Sequence, residues 1–120
     1  MIGKNDLSER LLGFAIKVIL FLRKLPNNDE NIILKKQLIR SATSSGANYE
    51  ESQGGSSRAD FTNKVRISLK EMREAYYWLK IFNGIIINEE MQKDCGVLIK
   101  ESQELKNILG AICTKTERKA

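Results

Sequence analysis

Apolar residues return along this chain at alternating intervals of four and three, which places them on one face of a helix. Leu11, Ala15, Val18, Leu22 and Leu25 set that rhythm in a first segment over about 6–25, which Pro26 and the Asn27-Asn28-Asp29 run bring to an end. A second segment, about 29–51, starts from Asn28 or Asp29 as cap and continues through Leu34, Leu38, Ala42, Ser45 and Tyr49. The third, about 58–83, carries Phe61, Val65, Ser68, Met72, Ala75, Leu79 and Phe82 without a break. Ser57 with Asp60 gives it a start resembling a capping box, and Gly84 offers a left-handed stop. The fourth, about 89–113, repeats the pattern at Met91, Cys95, Leu98, Ser102, Leu105, Leu109 and Ile112. Asn88 caps it, Glu89 and Glu90 suit the helix dipole, and a basic tail, 114–120, is expected to fray.

Short connections make successive helices antiparallel, so the expected architecture is all-α: a single domain over 1–120, folded as an up-down-up-down four-helix bundle. The stretch from Arg40 to Arg58 is rich enough in serine and glycine to resemble a linker, yet Ala42, Ser45 and Tyr49 keep helical phase through it. Only Ser52 to Ser57 is then expected as loop. The small residues from Ser41 to Ala47 become a face on which a neighbouring helix can approach closely. A hairpin at Asn83-Gly84 is the weaker reading, because the periodicity before it is long and helical.

The first segment holds more apolar residues than one stripe needs: Phe14, Ile16, Ile19, Leu20 and Phe21 lie on its other faces, and Ile67, Trp78 and Ile81 flank the third. A monomer of this size offers few places to bury them, so Phe14, Ile16, Leu20, Phe21, Ile67, Trp78 and Ile81 are expected at contacts between copies of the chain. The alternative is a thicker monomer core.

Composition narrows the chemistry. Lys plus Arg outnumber Asp plus Glu by 20 to 15, a net charge of +5, which makes polyanions candidate partners. Histidine is absent, removing the usual general base near neutral pH and the commonest metal ligand. No phosphate loop, metal-ligand cluster or nucleophile motif is present, so neither enzyme activity nor a cofactor or metal is expected. Cys95 and Cys113 lie about 27 Å apart on one helix, too far for a disulfide, and read as buried reduced thiols. The start has no signal-peptide pattern and the run Ile16 to Leu22 is too short to span a membrane, so a soluble, cytoplasmic protein is expected.

With Phe61 in the core, Arg66, Lys70, Arg73, Tyr77 and Lys80 fall on the outward face of the third helix, a basic stripe holding one aromatic. Such a stripe can neutralise phosphates while the ring offers a stacking surface. Arg10, Lys17 and Lys24 on the first helix, with Lys93 and Lys100 on the fourth, could extend the field, although Glu74, Glu90 and Glu101 interrupt it. The alternative is an ordinary solvated face. No base-reading motif is present, so contacts would be to backbone and shape.

The segment Gln37 to Ser52, "QLIRSATSSGANYEES", and the following "SRADFTNKVRISLKEMREAYYWLKI" resemble the small bacterial four-helix-bundle proteins associated with intervening sequences in 23S ribosomal RNA genes. The matching positions are Gln37, Arg40, Ser44, Asn48 and Glu51, then Phe61, Ser68 and Glu71; Gly46, Ser52 and Ile67 depart from the pattern. The resemblance implies a homo-oligomeric ring, a pentamer, of four-helix bundles. It also implies kinship with the accessory variability determinant of diversity-generating retroelements, a basic ring that binds nucleic acid and a reverse transcriptase. Gln37, Arg40, Ser44, Asn48, Glu51, Ser68 and Glu71 have a structural reading as a polar network that holds closely packed helices in register. The functional expectation is a non-enzymatic oligomer that binds RNA or DNA backbone, as accessory to a nucleic-acid-handling enzyme. The competing class is a protein-interaction scaffold with no nucleic-acid contact.

Overall fold

The computed structural model describes residues 6–55 and 57–118. Four helices follow one another: α1 (Asp6–Arg23), α2 (Asp29–Ser52), α3 (Arg58–Ile85) and α4 (Glu89–Arg118), with no strand among the described residues. α2 packs most closely on α3 and α3 on α4, while α1 lies more loosely on α2 and most loosely on α4, closing a four-cornered bundle. The long dimension, 46 Å, is that of its longest helix, since 30 residues of α4 rise about 45 Å.

The starts fall where capping chemistry puts them. Asn28 Oδ1 accepts from Asn31 N at 2.8 Å, Ser57 Oγ from Asp60 N at 3.2 Å, and Asn88 Oδ1 from Met91 N at 2.9 Å. The ends depart from expectation. α1 stops at Arg23, and Lys24 and Leu25 leave by tight turns onto the carbonyls of Phe21 and Leu22 ahead of Pro26. α3 runs through Asn83 and Gly84 to Ile85; among the described residues Gly55 alone has positive φ, and Ile86 turns extended with its N–H still on Phe82 O. The expected frayed tail is helical as far as Arg118: Thr114 and Thr116 bond back to Gly110 O and Ile112 O, and Cys113 is buried. The stretch that resembled a linker is helix through Ser52, leaving a loop only after it.

The core joins Leu11, Phe14, Val18 and Leu22 of α1 to Leu38 and Ala42 of α2, Val65, Met72, Leu79 and Phe82 of α3, and Cys95, Leu105 and Leu109 of α4. Phe14 and Phe21, expected between subunits, are buried within the one chain at 2% and 4% exposure. α1 is the shortest helix and meets its neighbours through a broad arc, so both rings lie inward; Ile16 and Leu20 stay outside, each 48% exposed. Ile67, Trp78 and Ile81 are half-buried along α3.

Small residues set the close packing of α2. Ser45 Oγ donates to Ser68 O at 2.9 Å while Ser68 Oγ donates to Ser45 O at 2.7 Å, and neither side chain reaches solvent. Each hydroxyl thereby finds an acceptor on the opposite backbone, which lets two polar residues occupy the core without a desolvation penalty. Gly46 faces α1 instead, where a Cβ would meet Leu11 Cβ at 3.5 Å, ordinary contact.

Candidate nucleic-acid interface

The buried row of α3 determines what its outer row can do. Arg66, Lys70, Arg73 and Lys80 each follow a buried residue, namely Val65, Leu69, Met72 and Leu79, and with Tyr77 all five side chains are exposed. They form a strip along the outer face of α3, which Arg66 and Lys80 bring to the edge of α4. Lys106 joins it from α4: Tyr76, half-buried between the helices, has Lys80 Nζ 4.8 Å and Lys106 Nζ 4.4 Å from its ring centroid. Two ammonium groups are thus held against one aromatic ring. The Tyr77 ring, 57% exposed, stands edge-on to Trp78 with centroids 5.2 Å apart.

Charge along the strip is uneven. Arg66 is answered by Glu117 of α4, which accepts from both Nε and Nη2, and this pairing raises the arginine's pKa above its ordinary value. Lys70, Arg73, Lys80 and Lys106 have no ion pair among the described residues. Glu117 reaches Arg66 because α4 continues past the expected end.

The expected cationic column on α1 is largely consumed. Arg10 makes a fork with Glu101, at 2.7 Å and 3.1 Å, and reaches Glu104 at 3.1 Å; hydrogen bonding to Glu101 is the main cause of its raised pKa. Lys24 pairs with Asp94 at 3.6 Å. Both side chains hold the loose α1–α4 seam together and are neutralised there, leaving Lys17 exposed beside Leu20 and Val97. The bundle is therefore balanced on its α1–α4 side and positive along α3–α4.

The residues read as one polar network divide into separate groups. Arg40 spans Glu71 at 3.1 Å and Glu74 at 2.7 Å across the α2–α3 seam, and the Glu74 bond and the Glu71 charge raise its pKa. Ser68 belongs to the buried pair with Ser45, and Asn48 Nδ2 donates within its own helix to Ser44 O at 2.9 Å. Gln37 makes no side-chain hydrogen bond among the described residues. Glu51 is exposed, and it is its carbonyl that is engaged, by Gly54 N. Register is thus held by Ser45–Ser68 and Arg40, with no single connected site.

Sequence reasoning missed Lys106 and Tyr76, and it read Glu74 as an interruption of the basic field where the structure makes it a partner of Arg40. Helical phase contained the signal for Lys106, which follows buried Leu105 as Lys80 follows Leu79; which α4 flank faces α3 required the packed structure. Among the described residues no group of His, Cys, Asp and Glu is placed to hold a metal ion, and no helix is long and apolar enough to cross a membrane.

Comparison with known proteins agrees with the architecture. A crystal structure of a protein of unknown function from the S23 ribosomal protein family of Bacteroides thetaiotaomicron VPI-5482 superposes with a TM-score of 0.77. It shares 33% identity over 89% of this chain and 97% of that one. None of the curated proteins matches the chain. The model of the 23S rRNA-intervening sequence protein family matches residues 4–111, from before α1 to the last turns of α4, and the chain belongs to that family.

Proposed function

We propose that this protein binds nucleic acid without catalysis, taking the phosphate backbone along the α3–α4 strip. The observation that carries this reading is the contrast between two seams. Arg10 and Lys24 are neutralised by α4 carboxylates, whereas Lys70, Arg73, Lys80 and Lys106 have no such partner among the described residues, and Lys80 and Lys106 lie against the Tyr76 ring. A row of cations without ion-pair partners beside the exposed Tyr77 ring suits a polyanion with stackable bases and carries no means of reading sequence.

The assembly proposed with it is the homo-oligomeric ring of five that the resemblance implies, which would repeat the strip and make weak sites act together. The Ile67, Trp78 and Ile81 flank of α3 is the subunit contact in this reading.

Anisotropy titration of duplex DNA and structured RNA against salt tests the function. Four phosphate contacts predict a slope of about −3 to −4 in log K against log salt on duplex. Lys70→Glu with Arg73→Glu should abolish binding, while Arg66→Gln, already paired, should change it far less. No binding at low ionic strength sinks the reading. If an acidic protein or a nucleic-acid enzyme such as a reverse transcriptase is instead retained after nuclease treatment, the strip is a protein-docking face.

A further inference from the structure

The outward face of α1 is apolar at its centre and charged at its ends. Leu12, Ile16 and Leu20 are 57%, 48% and 48% exposed and stand at four-residue steps, so they form one ridge on the side away from the core residues Phe14, Val18 and Phe21. Glu9 and Arg23, both exposed and neither in an ion pair among the described residues, continue the face three residues beyond each end. The order is symmetric about Ile16: Leu12 and Leu20 lie four residues to either side, and Glu9 and Arg23 seven. Reversing the helix about Ile16 exchanges leucine with leucine and acid with base.

We propose that this face docks on the same face of a second copy, the two α1 helices antiparallel about a two-fold axis at Ile16. Each Ile16 then meets its counterpart, each Leu12 lies level with Leu20 of the other copy, and each Glu9 lies level with the opposite Arg23. An isologous contact requires a surface complementary to itself, and both the apolar row and the opposed end charges meet that requirement. Three of the chain's exposed large apolar side chains are thereby removed from water. A two-fold contact cannot close a five-membered ring, whose contacts are head-to-tail. It therefore adds to the α3 contact proposed above and pairs chains or rings, and it stands or falls separately from nucleic-acid binding.

Ile16→Cys tests the axis directly. Mild oxidation of the full chain should give a covalent dimer in high yield, whereas Asn107→Cys, exposed on α4, should not. The native thiols should not interfere, since Cys95 and Cys113 are buried and burial pushes the Cys95 thiol up to about 11. A dilution series by sedimentation tests the charges. Glu9→Arg and Arg23→Glu should each weaken this self-association about tenfold, and the double exchange should restore it. All these positions point away from the core, and an unchanged helical spectrum with cooperative melting verifies folding. Absence of the Ile16→Cys dimer, or a double exchange no better than its parents, overturns the proposal and assigns the face to a different surface.

Discussion

α2 presents Ser41, Ala42, Ser45 and Gly46 to its neighbours, while α1 beside it presents Leu11, Phe14, Val18 and Leu22 and still leaves Leu12, Ile16 and Leu20 half exposed. The more polar helix is the more tightly packed. Small side chains let its backbone come close to α3, and the reciprocal Ser45–Ser68 bonds remove the cost of burying hydroxyls there. α1 comes close to α2 at Gly46 but meets α4 most loosely, and there a few ion pairs supplement apolar contact. Burial in this bundle follows from how near two backbones can approach, and hydrophobicity alone misjudges it.

The contrast can be broken most forcefully on α1 itself. Phe14→Ala should cost about 4 kcal/mol in chemical denaturation through the lost ring and the cavity left behind. Ile16→Ser, two residues on, should stay within about 0.5 kcal/mol in a dilute sample. Similar losses from both would mean that α1 is buried on every side. On α2, Ala42→Leu should destabilise by about 2–3 kcal/mol, because three extra carbons have nowhere to go in a fully closed site. A leucine accepted there without loss would show the small-residue seam to be slack. The smallest effect is expected at the serine pair, where Ser68→Ala should cost about 1 kcal/mol. Adding Ser45→Ala should cost less than the sum of the single changes, since the two hydroxyl oxygens are 3.2 Å apart. Strict additivity would mean that the two bonds act independently.

Much of this is legible in the sequence. The four-three spacing placed four helices and their buried rows, and asparagine and serine caps marked three starts, because both signals are local. The ends were not local. Gly84 is a competent stop, yet α3 passes it, and α4 outlasts its apolar pattern to bring Glu117 to Arg66 across a neighbouring helix. Phe14 and Phe21 read as outward in the sequence because a stripe drawn through Leu11, Ala15, Val18 and Leu22 covers only part of the arc that α1 buries. At the candidate interface, helical phase alone identified Lys70, Arg73, Tyr77 and Lys80. Which cations keep a free charge depended on carboxylates from a helix distant in sequence.

Helix number, phase and antiparallel order were therefore determined by the sequence alone, since periodicity, capping and short connections act over a few residues. Tertiary structure alone decided that Arg10 and Lys24 are neutralised, that Lys106 closes on Tyr76, and that of the extra apolar residues of α1 Phe14 and Phe21 turn inward while Ile16 and Leu20 stay uncovered. Those outcomes depend on the distance and rotation between packed helices, which no single segment encodes.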